Sequence, residues 1–287
     1  MTELPPELSA IDARPTTAGS GRSRALLRGF VAGASPLIAV GVLVLVWEVV
    51  VRVLNVQEFI LPPPSLIAAE AHRQGSTLVD ATRVTLVEVL LGFGLCVVVG
   101  IPLAVLIVYS KVIRSVLYPV LVAGQAIPRV AIAPLMILWF GLGIQGKVVM
   151  AFSVAIFPLI ISAVVGLQSV DRDTMYVVQS MGAGPLQSFV KVRFPAALPS
   201  IYGGLKIAVT LAVIGAIVAE FVGSTQGLGY LVLVGQATFN TRLIFASVAV
   251  MALMGIVLFY IIEIVERFTI HWYYAARAAA EEGAPDE

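Results

Sequence analysis

Charge is what this sequence has least of. Only 12% of its 287 residues are Asp, Glu, Lys or Arg, about half of what a water-soluble domain carries. A net charge of +1 leaves no basic field for a nucleic acid, so that class of partner is excluded. Cysteine is nearly absent too: the one residue, Cys96, sits in an apolar run. That excludes a disulfide framework and a cysteine metal site, and Cys96 reads as a small packing residue. There are two histidines, His72 and His271, far apart in the chain and on opposite sides of the membrane in the topology derived below. With no Asp, His and Ser grouping to bring together, nothing supports a catalytic or metal centre, and the chain does not read as an enzyme.

What is abundant is apolar. Hydrophobic residues make up 59% of the sequence, and mean hydropathy is +1.00. A helix crosses a bilayer with about 20 mostly apolar residues. Six stretches meet that length: about Pro36–Leu54, Val84–Tyr109, Val116–Phe140, Val148–Leu167, Ile201–Val222 and Leu243–Val265. The runs are continuous rather than alternating, which favours helices over a barrel. The expectation is an all-α integral membrane protein of six transmembrane helices.

Lys and Arg set the orientation. With the N-terminus inside, twelve of the 18 fall on the cytoplasmic side and five outside, with Arg129 inside a span. Both termini are therefore expected in the cytoplasm of a bacterial inner membrane. The segment to about Ser20 is rich in Pro, Thr, Ser and Gly and has no apolar run, so 1–30 reads as a disordered cytoplasmic tail. It does not read as a signal peptide, because the first apolar stretch begins too far in. Next comes 31–83, the first span with a Pro62-Pro63-Pro64-Ser65 hinge, from which Pro64 opens a short helix to about Arg73. A core follows at 84–267, then a cytoplasmic tail at 268–287. In that tail His271-Trp272-Tyr273-Tyr274 suits an interfacial anchor.

The longest polar interruption of the core is Asp171–Pro199. An acidic first turn favours a short helix from Asp171 to Met181. Gly182-Ala183-Gly184-Pro185 then ends it, with Gly182 as a left-handed cap and Pro185 opening a new helix. Two short helices at an angle make a knob. Leu186, Phe189 and Val190 give it an apolar side; Lys191 and Arg193 give it charge.

Small residues recur at four-residue spacing, Gly92, Cys96 and Gly100 in the second span and Gly204, Ala208, Ala212 and Ala216 in the fifth. Such stripes let helix backbones approach closely in lipid. Gly141 to Lys147 fits both G-x-G-x-x-G and G-x-x-x-x-G-K. Val148 stands where a P-loop needs Ser or Thr, and no strand precedes it, so nucleotide binding is not expected there.

In the knob, Gly182 is followed after nine residues by Val192-Arg193-Phe194-Pro195. This resembles the Glu-Ala-Ala loop of ATP-binding-cassette importer permeases, with the departure that Tyr176-Val177-Val178 replaces Glu-Ala-Ala. Ile127-Pro128 through Trp139-Phe140-Gly141, Gly204-Leu205-Lys206 leading to Glu220-Phe221, and Gly227-Leu228-Gly229-Tyr230-Leu231 resemble the nitrate, sulfonate, taurine and pyrimidine-precursor branch of that family. The resemblance implies a type I importer fold. It implies a second permease copy, two ATPase subunits that hold the ATP and magnesium, and an extracytoplasmic binding protein; this chain itself would hold no cofactor. It implies ATPase coupling through Tyr176, Gly182, Ala183, Gly184, Val192 and Pro195. Arg129, deep in a span, is expected to face the substrate path, with Glu88 and Glu220 as its nearest partners. The rival reading is an ion-coupled secondary transporter, which would place ionisable groups at mid-membrane.

Overall fold

The computed structural model describes residues 38–273, with the side chain of Arg129 left out of the description. The tail expectations for 1–30 and for the chain beyond 273 lie outside these residues. The chain divides into two units at Val56 and Gln57, so the segment 57–83, grouped above with the first span, belongs with the helical core. The first unit contains one described helix, α1 (38–53), in which Glu48 pairs with Arg52 one turn later at 2.6 Å.

The second unit is helical throughout its ordered elements: α2 (Pro64–Arg73), α3 (Gly75–Tyr109), α4 (Lys111–Gln125), α5 (Arg129–Phe140), α6 (Ile144–Gln168), α7 (Arg172–Ser180), α8 (Pro185–Ser188), a π turn (Phe189–Arg193), α9 (Phe194–Gly223), α10 (Leu228–Ala237) and α11 (Thr241–Thr269). Four helical stretches among the described residues are long and apolar enough to cross a membrane: α3, α6, the continuous Pro185–Gly223 and α11. A fifth arises if α4 and α5 count together.

The expected third span, Val116–Phe140, is corrected here. It is broken at Ala126–Pro128, and its two halves meet at 112°. Pro128 supplies the reason, because it lacks an N–H and pushes the residue before it out of helical geometry. Arg129 therefore opens α5 behind a Pro128 N-cap, rather than sitting at a helix centre. The fifth span also starts earlier than expected. The knob's second helix runs through the π turn into α9 without a stop, and Phe194 N–H bonds back five residues to Phe189. Pro195 explains the wider turn: it has no N–H for the Lys191 carbonyl, and its ring needs room beside it.

The core is the crossing of α3, α6 and α9, and its contacts are made by the small residues. Gly92 backs onto Ala151 and the Val148 carbonyl, Gly204 onto Ser162, and Gly215 onto the Ala151 backbone, so closely that an added Cβ would overlap at each. Cys96, Ala208, Ala212 and Ala216 are wholly buried. In lipid there is no hydrophobic gain from bringing two apolar helices together; close packing and hydrogen bonds must hold them. Ala133 of α5 joins this core against Met150, Val154 and Ala219.

Candidate functional site

The 171–199 loop closes one end of the helical bundle. Asp171 caps α7, its carboxylate accepting from the Arg172 N–H at 2.6 Å, and Asp173 lies in the first turn where the helix dipole favours it. After α7 the chain reverses at Gly182, whose φ of +83° is a left-handed conformation. Only glycine takes that up without strain. Gly184 N–H then donates to the Gln187 side chain at 3.3 Å, fixing the start of α8.

The loop is anchored by aromatics. Phe189 meets Tyr109 at the end of α3 edge-on, with ring centroids 5.8 Å apart. The Arg193 guanidinium lies 5.4 Å from the same Tyr109 ring. Met175 and Ser188 are buried, and other knob residues face outward: Tyr176 is 65% exposed, Met181 81% and Leu186 74%. Five large apolar side chains (Tyr176, Val177, Met181, Leu186 and Val190) stand exposed on one short loop. Of the other expected coupling residues, Ala183, Gly184, Val192 and Pro195 are half-buried along the turn and the start of α9.

The opposite end of the bundle gathers the charges. Lys147, in the first turn of α6, donates to Glu88 of α3 at 2.6 Å and to Ser224 after α9 at 2.8 Å. Glu220 of α9 accepts from the Thr85 hydroxyl at 2.7 Å and from the Gly229 N–H at 2.5 Å. Thr85 in turn accepts from the Leu228 N–H at 2.9 Å. Glu88 and Glu220 are 1% and 0% exposed. Glu88 is held by Lys147, and Glu220 by Thr85 and the α10 backbone; the side chain of Arg129, their expected partner, lies outside the description. Sequence reasoning missed Thr85, Lys147, Ser224 and Gly229. Lys147, read there as the end of the Gly141–Lys147 motif, is a buried helix residue. The signal available was an ionisable or hydroxyl group inside an otherwise apolar helix.

Also at this end, α2 is clamped to the start of α11. Glu70 accepts from Arg73 at 2.7 and 2.9 Å and from Asn240 at 3.1 Å, and the Arg73 hydrogen bond holds its carboxyl below the usual range. Arg242 pairs with Glu58, and Thr241 donates to the Phe59 carbonyl at 2.9 Å. These residues line a hollow of about 500 Å³.

Comparison with known proteins places this arrangement. Over 228 residues, covering 79% of this chain and 93% of the other, it is 38% identical to a probable ABC transporter permease of Haemophilus influenzae. It is 34% identical to the formylaminopyrimidine transport permease ThiX of Halalkalibacterium halodurans, over 80% of this chain and 92% of that one. It is 35% identical to the riboflavin transport permease RibX of Chloroflexus aurantiacus, over 90% and 97%. The fold matches a chain of the MetNI methionine ABC transporter in an inward-facing conformation, with TM-score 0.59 at 20% identity over 68% of this chain and 97% of that one. Residues 96–270 match the family described as binding-protein-dependent transport system inner membrane component, a stretch running from the middle of α3 to the end of α11, and the chain belongs to that family of ABC importer permeases, as a membrane-embedded transport subunit and not an enzyme.

Proposed function

We propose that this permease forms the translocation path of an importer that is driven by a separate ATPase and supplied by an extracytoplasmic binding protein. The observation that carries the reading is the exposed, conformationally fixed knob around Gly182 at the end of α7. ATPase subunits dock there, using Tyr176, Met181 and Leu186 as apolar contacts and Gly182, Ala183 and Gly184 to hold the turn; Val192 and Pro195 pass the load into α9. The ATP and magnesium belong to those subunits. Two copies of the chain pair to enclose the path, with the knob and both termini in the cytoplasm of a bacterial inner membrane. ATP binding favours one of two arrangements of the helices by differential affinity.

The path passes the break between α4 and α5. Non-helical backbone at membrane depth is tolerated where it is buried in protein or lines a water-filled cavity, and Arg129 stands at that break. Glu88 and Glu220 are buried and hydrogen-bonded within the chain. The cargo is a small solute of the sulfonate, nitrate, taurine or pyrimidine and thiamine-precursor class. Within it a nitrogen heterocycle is favoured, because the relatives ThiX and RibX are named for a formylaminopyrimidine and for riboflavin.

Gly182→Val tests the docking. A β-branched residue at φ +83° costs about 1–3 kcal/mol of local strain. The variant should insert normally and lose its co-purifying ATPase; a full ATPase complement with normal transport would overturn the reading. Arg129→Gln should lower transport and leave assembly intact.

A further inference from the structure

Among the described residues, the buried carboxyl groups each have a cation beside them, with one exception. Glu70 has Arg73 at 2.7 Å, Glu266 has the Lys206 ammonium at 2.5 Å, and Glu88 has Lys147 at 2.6 Å. Glu220, wholly buried, has no described cation. Its oxygens meet the Thr85 hydroxyl at 2.7 Å and the Gly229 N–H at 2.5 Å, both neutral donors. The polar groups facing this cluster come from every element packed there: Thr85 and Glu88 of α3, Lys147 of α6, Glu220 of α9, Ser224 after it and the first N–H groups of α10. Asp80 and Arg83, the next charges along α3, are exposed and pair with each other. The described count is two carboxyl groups to one ammonium.

The geometry shows where the difference is made up. The Glu88 and Glu220 carboxyl groups are in hydrogen-bonding contact with each other. As two carboxylates they would offer acceptors and no donor, and they would repel. Glu88 Oε1 accepts from Lys147, yet Glu88 Oε2 is buried and has no donor among the described groups. A buried acceptor without a donor is costly, and an unbalanced ionised carboxylate in an apolar interior costs far more. A single proton between the two carboxyls removes both penalties, since it gives Oε2 a donor and brings the charge of the cluster to zero.

We propose that Glu88 and Glu220 hold one buried proton between them, with Glu220 the neutral carboxylic acid that donates to Glu88 Oε2 and Glu88 the carboxylate paired with Lys147. The proton is the ligand that joins α3 to α9. It belongs to Glu220 because the fixed partners of that group are neutral, whereas Glu88 lies 2.6 Å from an ammonium, which favours the charged form. The inference rests on this cluster alone and is independent of what docks at the knob.

Infrared spectroscopy of the purified full chain at neutral pH reads the proton directly, because a neutral carboxylic acid has a C=O stretch well above the carboxylate and amide bands. The parent should show such a band, shifted in D2O, and Glu220→Gln should lose it. Glutamine mimics the neutral acid: one amide N–H can donate to Glu88 Oε2 and the other to Thr85, whose hydroxyl then turns to the Ala81 carbonyl, 3.2 Å away. Glu220→Gln should therefore keep a denaturant midpoint closer to the parent's than Glu88→Gln, which leaves the buried Lys147 without its counter-charge. Lys147→Met should gain a second neutral-acid band, as the carboxylate left behind takes up a proton. A parent without the band has two ionised carboxylates, balanced by Arg129 or a bound cation, and would overturn the proposal; that spectrum decides the point even if a variant does not fold. A band that survives Glu220→Gln undiminished belongs to another carboxyl and would overturn it too. Glu220→Gln destabilised more than Glu88→Gln would overturn the assignment of the proton to Glu220.

Discussion

The two ends of the Pro185–Gly223 helix obey opposite rules. At the knob end the polar bonds are local, such as Gly184 to Gln187 at 3.3 Å, and the large apolar side chains face out, with Met181 81% exposed. At the other end two buried carboxylates are held across the fold: Glu88 by Lys147, 59 positions away in sequence, and Glu220 by Thr85, 135 away. One end takes its hydrogen-bond partners from within this chain, whereas the knob leaves large apolar side chains exposed. Substitutions at the buried end should therefore damage the fold, and substitutions at the knob should damage association.

The sharpest way to break the comparison is to ask which side of the membrane each end faces. On intact cells an impermeant thiol reagent should label Thr225→Cys fully and Gln187→Cys only after permeabilisation, an all-or-none difference; reversed labelling would put the knob beyond reach of a cytoplasmic ATPase. Next in size is Lys147→Met. The Lys147 and Glu88 side chains are 10% and 2% exposed, and removing one partner of a buried pair costs about 3–5 kcal/mol. Unfolding in detergent should show that loss, and adding Glu88→Leu should recover most of it. A single variant as stable as the parent would mean that this end is not closed as described.

At the knob the expectation inverts. Leu186→Asp should leave stability within about 0.5 kcal/mol, as exposed substitutions usually do, while weakening ATPase binding by about 2 kcal/mol or more if Leu186 is an anchor of the interface. Titration of the ATPase against the purified permease measures it, and equal affinities would remove Leu186 from the contact. The smallest effect concerns Glu70. Its folded carboxyl is held below its ordinary value by Arg73, so its stabilisation is present above that ordinary value and is lost as pH falls through the folded one. The stability gap between parent and Glu70→Gln should be constant near neutrality and shrink toward acid pH; a gap that widens on acidification would contradict the pairing.

How much of this was legible beforehand follows from the range of each interaction. The Gly182 turn was readable because a left-handed cap and a helix-opening proline are properties of four adjacent residues. The α2 helix from Pro64 was readable for the same reason. The packing stripes were readable because a spacing of four puts Gly204, Ala208, Ala212 and Ala216 on one face whatever they meet. The break at Pro128 had a local signal that was read through, since a hydropathy window averages across a single proline. That error moved Arg129 from the start of a helix to the middle of one.

Composition and hydropathy by themselves determined that this is a helical membrane protein without a catalytic centre of its own to read, and the Gly182-to-Pro195 spacing determined which family it resembles. Only the tertiary structure decided that Lys147 is a buried partner of Glu88, that Glu220 caps α10 from the preceding helix, and that the knob and the far end share one continuous helix. The physical reason is distance along the chain. Periodicity and turn chemistry act over a few residues and are written in order, while a carboxylate's partner is whichever donor the packing of small residues brings within 3 Å, and no local pattern names it.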